Sequence, residues 1–531
     1  MLSLKSRPAS LSPLRWPGIA AVLVLVFILS QILGGESWDE YLHRVGHDDH
    51  VRYAGEVLTG DTSRSFHEID QDLEYYGLIS MEPASTIAHA AADILDLPTS
   101  EERRLFRVLL HASAFAWAIA TAFIVYLLVR RETGRRELAA IAGLLLLLYP
   151  TWLGHGFFNF KDLPQAFFYT LALWGGREAI QDEDGAFRKG LLIVAIATVG
   201  AATVRFAVLP LLIPQYLLII WALLSEQEKR PLHLRDSVIA GLLTLLCIYA
   251  FTPASWRAPL EYLQWNIAYM SQHGWNSCTI TLGDCINVRS QEWSALQYLI
   301  SWLIVRLPLL ILILTPPAAG LLLWRGNAFQ RHLILAAFLP VIVLSGMNST
   351  LYDGIRHVLF IIPSLVLMVV LAADVLARTH PAVFKAFRAG AYATLALFLA
   401  DNIRLFPFNY VYFNEPSRFF VTEKTFDTDY WGYSLREAAI PLADAGRNMA
   451  AEAPILYTAW PQHLIEPFAG PNTRPIPPET LDKGVPHYQI SLTRGGAEPS
   501  ASCGHIDYVE RRLAFAPRPM RLSFAAQCEG D

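Results

Sequence analysis

Long apolar stretches separated by short polar connections fill the first four hundred residues. Predominantly apolar runs lie at 17–34, 108–129, 138–153, 162–177, 190–206, 208–224, 236–252, 298–323, 333–346, 358–377 and 389–402. A bilayer core ~30 Å thick takes about 20 such residues per helix, so the pattern predicts about eleven transmembrane helices. Past Asn402 the pattern changes. A helical periodicity covers Ser434 to Ala451, and short apolar runs such as Ile455–Trp460 and Tyr488–Leu492 follow it. That is the signature of a small α/β domain. The expected fold class is therefore an α-helical polytopic membrane protein, with a transmembrane module at 1–402 and an α/β domain at 403–531.

Composition narrows this further. Hydrophobic residues make up 53% of the chain and charged ones 17%, against roughly 25% charged in a soluble domain. A net charge of -5 over 531 residues provides no basic footprint for nucleic acid. The basic residues occupy every second connection: Lys5, Arg7 and Arg15; Arg130, Arg131, Arg135 and Arg136; Arg177, Arg188 and Lys189; Lys229, Arg230 and Arg235; Arg325 and Arg331; Arg378, Lys385 and Arg388. The positive-inside rule then puts the N-terminus in the cytoplasm and the C-terminal domain outside. No small-residue cleavage site follows Leu33, so the first run reads as an uncleaved anchor. Loops 35–106 and 253–297 share the outer face with the tail. Cys278, Cys285, Cys503 and Cys528 all fall there, with Cys247 inside a span. That fits an oxidising exterior such as the periplasm outside a bacterial inner membrane, with the pairing left open.

Three polar clusters stand out at the outer ends of the runs. The first, Ser37-Trp38-Asp39-Glu40, sets two carboxylates at the membrane surface, where they suit a general base or a metal ligand. The bland reading is a water-interface marker. Downstream, His43, His47, Asp48, Asp49 and His50, with Asp70, Asp72 and Glu74, read as a solvated amphipathic helix rather than a metal site. The second cluster is His155-Gly156-Phe157-Phe158-Asn159-Phe160-Lys161-Asp162-Leu163-Pro164. Asp162 and Pro164 suit a helix start, which leaves His155, Asn159 and Lys161 unexplained. A lysine beside a helix N-terminus favours an anion. The third is Tyr352-Asp353-Gly354-Ile355-Arg356-His357, where an arginine can grip a phosphate in bidentate fashion. Arg205 and Arg306 lie in or beside apolar runs, where a cation is costly unless paired. Arg205 calls for an anion partner, whereas Arg306 precedes Pro308 and a helix break. Acids from the first loop and cations at Lys161, Arg205 and Arg356 can converge on one outward cavity. A carboxylate base beside a cationic phosphate clamp is what transfer from a phosphate-linked donor requires.

Asp39-Glu40 after the first run, H-x3-N-x-K-D-x-P at 155–164 and Y-D-G-x-R-H at 352–357 together resemble the C-type (GT-C) membrane glycosyltransferases. The resemblance is to the branch of family 39 protein O-mannosyltransferases and lipid A aminoarabinose transferases. Tyr412-Phe413-Asn414-Glu415 and Asp429-Tyr430-Trp431-Gly432 are similar to bacterial members of that branch. The resemblance implies a GT-C-like fold, a polyprenyl-phosphate sugar donor and inverting hexosyl transfer to a lipid, glycan or protein acceptor. It implies Asp39 as catalytic base with Glu40 assisting, and His155, Lys161, Arg205, Arg356 and His357 at the donor phosphate. Asp162 would touch a divalent metal ion, if one takes part; relatives differ on this. The chain lacks the β-trefoil insertion of the eukaryotic protein O-mannosyltransferases, which sets a protein acceptor apart from the other two. Two alternatives from other classes are a transporter with a site between helices and a non-catalytic ligand-binding subunit. A lipid-linked glycan ligase or polymerase is a further alternative within the enzymes.

Overall fold

A computed structural model describes residues 15–61, 63–69, 77–181, 185–225, 229–271, 275, 277–288, 293–377, 379–450, 453–477 and 485–529. Lys5, Arg7, Asp70, Asp72, Glu74 and Arg378 lie outside the described residues. The helices, in chain order, are α1 (Arg15–Leu33), α2 (Glu40–Thr59), α3 (Glu82–Leu95), α4 (Thr99–Thr133), α5 (Arg136–Leu147), α6 (Pro150–Gly156), α7 (Asp162–Ala179), α8 (Ala186–Val204) and α9 (Ile213–Ser225). Then come α10 (Arg230–Ala250), α11 (Pro259–Ser271), α12 (Ala295–Arg306), α13 (Leu309–Arg325), α14 (Ala328–Gly346), α15 (Ile362–Ala377), α16 (Pro381–Leu405), α17 (Leu435–Ala438) and α18 (Ile440–Arg447). Every apolar run in the sequence falls on this helical framework. Among the described residues, six helical segments are single spans by length and composition, and two bent pairs, α5–α6 and α12–α13, raise that to eight. The shorter apolar stretches Gly18–Leu33 and Leu209–Ser225 flank them.

The run at 298–323, read from sequence as one long span, is two helices, α12 and α13, bent by 120°. Pro308 removes a backbone donor at the break, and the chain past residue 405 holds the bend. Asn414 donates its side-chain amide to the carbonyls of Ile304 and Leu307, the latter at 2.8 Å. Glu415 accepts the Leu309 N–H at 3.0 Å, capping α13. Arg306 donates to the carbonyls of Tyr410 at 2.8 Å and Tyr412 at 2.6 Å and lies 4.0 Å from the Phe413 ring centroid. That cation is neutralised by carbonyl dipoles and a π face, so it serves the break and not a ligand. The segment after α16 therefore inserts into the helical module. Phe408, Tyr410, Val411, Tyr412 and Phe413 are all fully buried. Gly154 lets it approach, because a Cβ there would stand 2.0 Å from the Tyr410 nitrogen.

Among the described residues seven strands complete the fold: β1 (Thr279–Thr281), β2 (Asp284–Ile286), β3 (Ile455–Trp460), β4 (Thr473–Pro475), β5 (His487–Leu492), β6 (Cys503–Arg511) and β7 (Met520–Cys528). The first two form a hairpin closed by the Cys278–Cys285 disulfide. The other five form one mixed sheet in the order β4-β3-β5-β7-β6, parallel from β4 to β5 and antiparallel beyond. A second disulfide, Cys503–Cys528, joins the start of β6 to the end of β7. Both pairings left open by the sequence are thus formed. The single helix expected over 434–451 is instead α17 and α18, divided before Pro441, which suits only a first helical turn.

Candidate active site

The first loop, the α6–α7 connection, the loop before α15 and the C-terminal domain all meet at one end of the helical module. They enclose a cavity of about 790 Å³. Its charged wall carries Asp39, His43, Lys161, Arg205, Asp353, Arg356, His357 and Arg494, and its other wall is apolar, with Leu245, Leu263, Ile267, Val343, Leu344 and Met347.

Asp39 is the N-cap residue of α2, yet its carboxylate makes no capping bond. It accepts from the Lys161 ammonium across the cavity, and Arg356 Nη1 stands 4.0 Å away. Lys161 is in turn the N-cap residue of α7, 4% exposed. The expectation that Asp162 caps α7 is corrected: Asn159 does so, accepting from the Lys161 N–H at 3.2 Å and the Asp162 N–H at 2.9 Å. Arg356 also pairs with Asp353 at 3.2 Å, and Asp353 accepts from Arg494 at 2.6 Å. The left-handed turn Asp353-Gly354, with φ of 58° and 71°, sets this carboxylate between the two guanidiniums.

The electrostatics follow from these contacts. Desolvation alone would raise the Asp39 carboxyl. Lys161 first, then Arg356, outweigh it and hold the group well below the usual carboxylate range. His43, whose Nε2 lies 3.2 Å from the Lys161 ammonium, is kept neutral by burial and by that neighbouring cation. Burial raises the Asp353 carboxyl despite Arg494 and Arg356.

The remaining expected site residues lie behind this wall. Glu40 does not line the cavity; its carboxylate accepts from the Ser37 N–H at 2.7 Å and meets His111 Nε2 at 2.8 Å. His155 meets the Tyr430 hydroxyl at 3.2 Å and Asn159 at 2.8 Å, supporting Tyr430, which does line the cavity. Asp162 accepts from Asn159 at 2.9 Å. Among the described residues no three His, Cys, Asp or Glu side chains gather as a metal-binding group. The neighbours of Asp162, led by the Asn159 amide that donates to it, do not form a metal-ligand set.

Three contributions escaped sequence reading. His43 was placed on a solvated helix. The helix exists, but His43, His47, Asp49 and His50 are buried on its packed face. Arg494 sits in Thr493-Arg494-Gly495-Gly496, just past the short apolar run Tyr488–Leu492 but far along the chain from the long runs, and nothing local marks it as a cavity residue. Trp38, Trp275 and Trp460 arrive at the cavity from three separate segments. The motif Asp429-Tyr430-Trp431-Gly432 is a wall of the same cavity. Asp429 accepts from the N–H groups of Trp431 at 3.0 Å, Gly432 at 2.7 Å and Ser434 at 2.9 Å, and Gly432 takes the φ of 76° that this turn requires.

Comparison with known proteins agrees with this architecture. Residues 106–256, which include Lys161 and Arg205, match the family described as dolichyl-phosphate-mannose-protein mannosyltransferase. No curated protein sequence matches the chain. Among solved structures, ArnT from Cupriavidus metallidurans in the apo state is 13% identical, with 96% of this chain and 97% of that one covered at a TM-score of 0.51. The same protein bound to undecaprenyl phosphate is 14% identical, with 96% and 98% covered at a TM-score of 0.48. The chain is thus a membrane protein with the overall fold of ArnT, and its residues 106–256 are similar to the dolichyl-phosphate-mannose-protein mannosyltransferases.

Proposed function

We propose that the protein transfers a sugar from a polyprenyl-phosphate donor to an acceptor hydroxyl, with inversion and with Asp39 as the base. The observation that carries this reading is the cavity itself, where a carboxylate and the cations Lys161, Arg205 and Arg356 face one space with an apolar wall. The apolar wall suits a polyprenyl chain, and the cations suit its phosphate. The related protein mannosyltransferases and the ArnT complex with undecaprenyl phosphate point to the same donor class.

In the transfer step the acceptor oxygen forms a bond to the anomeric carbon as the bond from that carbon to the phosphate oxygen breaks. The acceptor proton passes to Asp39, and the negative charge left on the phosphate is met by Lys161 and Arg356. Asp39 is a weak base while Lys161 and Arg356 hold it ionised. A donor phosphate competing for those two cations lifts the carboxyl toward its ordinary value, so binding the donor strengthens the base. His155 and Asp162 act from behind the wall, and Glu40 braces the first loop against α4. We place the cavity on the periplasmic side of a bacterial inner membrane, with the N-terminus cytoplasmic, from the distribution of lysine and arginine.

The test is sugar release from radiolabelled polyprenyl-phosphate mannose, glucose and aminoarabinose by the full chain in lipid, with and without a chelator. Turnover of one donor that collapses in Asp39→Asn is the expected result. Absence of binding of any of these lipids to the folded protein would overturn the reading.

A further inference from the structure

The charged wall accounts for a phosphate but not for the aromatic rim beside it. Trp38, Trp275 and Trp460 line the same cavity, contributed by the first loop, the hairpin loop and the end of β3. Trp38 and Trp460 meet edge to face with ring centroids 5.1 Å apart. Trp460 is nonetheless 46% exposed, an unusual position for an indole that could have been buried. Trp275 stacks on Tyr352 at 4.5 Å, and Asn287 holds its carbonyl from the disulfide-closed hairpin at 3.1 Å. The Arg494 guanidinium lies between, 5.5 Å from the Trp38 ring and 5.8 Å from the Trp275 ring.

Two donors on this rim have no hydrogen-bond partner among the described residues. Arg494 is 8% exposed; its Nη1 donates to the Tyr430 carbonyl at 2.9 Å and its Nη2 to Asp353, while its Nε has no hydrogen-bond partner among the described residues. The indole N–H of Trp431, a residue 1% exposed, is likewise unsatisfied. Both side chains line the cavity. Buried N–H groups left open in a cavity wall imply acceptor oxygens on a ligand. Flat indole faces beside them suit the C–H face of a saturated ring. The cavity's carboxylates, Asp39 and Asp353, are already engaged by Lys161, Arg356 and Arg494, so the rim gives no welcome to an ammonium group.

We infer that Trp38, Trp460 and Arg494, with Trp275 and Trp431, form a subsite for a pyranose ring without an amino group, and that the C-terminal domain supplies three of these five side chains. The choice of a sugar rests on the glycosyl-transfer reading above. The ring belongs either to the donor or to the acceptor, and the two are separable. The full-length protein in lipid nanodiscs is titrated with polyprenyl phosphate, with polyprenyl-phosphate mannose, with polyprenyl-phosphate aminoarabinose, and with methyl mannoside in the presence of polyprenyl phosphate. Tryptophan fluorescence reports binding. The variants are Trp460→Leu, which alters a half-exposed side chain, and Arg494→Gln.

Wild type is expected to bind the mannose lipid about tenfold more tightly than the bare lipid, a gain the aminoarabinose lipid does not show. Loss of that gain in both variants, with bare-lipid affinity kept in Trp460→Leu, assigns the ring to the donor. Loss of methyl mannoside binding alone assigns it to the acceptor. Variants that bind every ligand as wild type does overturn the subsite, and an aminoarabinose lipid that binds as tightly as the mannose lipid overturns its assignment to the donor. Wild type that binds methyl mannoside but neither sugar lipid nor bare lipid overturns the donor reading and leaves the subsite standing. Binding of none of the four overturns both.

Discussion

Helix α7 carries a dense charge cluster at each end, and the two differ in kind. At its C-terminal end Glu178 meets Arg131, Arg177 at 3.1 Å and Lys189 at 2.7 Å, while Glu132 takes Arg177 at 2.9 Å and Asn327 at 2.8 Å. Glu178 there is held by three cations and Glu132 by one, and neither glutamate lines the cavity at the other end of the helix. At its N-terminal end, ~27 Å away by helix rise, Lys161 faces Asp39 across a cavity whose wall carries Lys161, Arg205, Arg356 and Arg494 against Asp39 and Asp353. Cations outnumber carboxylates by two there, against one at the other end, and buried N–H groups of Arg356, Arg494 and Trp431 lack partners among the described residues. Both ends are crowded with charge, so charge density alone does not mark a site. Imbalance beside an open space does.

Substitutions at the two ends should therefore separate. Asp39→Asn keeps the size of the side chain and removes the base, and turnover should fall by about 10²–10⁴-fold with the melting temperature little changed. Kinetics and differential scanning fluorimetry on the same preparation measure both. Arg356→Gln should lower turnover by about 10²–10³-fold, because the departing phosphate loses a cation. Lys161→Met sharpens the picture through pH. Lys161 is the largest influence lowering the Asp39 carboxyl, so wild type should show no acid limb from this group in the mildly acidic range. In Lys161→Met the carboxyl titrates higher, and a pH–rate profile should gain an acid limb there. At the opposite end, Glu178→Gln should cost about 1–3 kcal/mol of stability and leave turnover per folded molecule unchanged.

The smallest effect belongs to Asp427, which ties the hairpin to the Arg494 loop by accepting from the N–H groups of Ile280 and Gly495, each at 3.0 Å. Burial pushes its carboxyl up to about 6, against the pull of Arg494 and those two N–H groups. An unfolded carboxyl titrates near ~3.9, so between about 4 and 6 the folded chain holds a proton that the unfolded chain has released. Stability contributed here falls as pH rises across that window and is level above it. Melting curves at pH 4 to 7 should show this slope in wild type and a weaker one in Asp427→Asn.

Much of this was legible in the sequence because it rests on local pattern. Hydrophobic length placed every helical run, and β3 and β5 occupy the runs Ile455–Trp460 and Tyr488–Leu492 nearly to the residue. Asp39, Lys161, Arg205, Arg356 and His357 stood out as polar groups at apolar ends, and all five line the cavity. Glu40, His155 and Asp162 share the same motifs but turn behind the wall, and a one-dimensional pattern does not encode which way adjacent side chains face. Arg494 and Trp460 come to the cavity by tertiary docking of the sheet, so no signal near them in sequence reveals it. The α12–α13 bend is half legible, through Pro308, and half not, since Asn414 and Glu415 stabilise it from more than a hundred residues away.

The central claim is that the unbalanced end of α7 is where a lipid phosphate binds. A cryo-EM map of the full chain with polyprenyl-phosphate mannose tests it most directly. The account predicts the phosphate within ~3 Å of the Lys161 and Arg356 nitrogens, with the chain along Leu245, Leu263 and Leu344. A phosphate seated at Arg131, Arg177 and Lys189, or density absent from the cavity with lipid bound elsewhere, would contradict it.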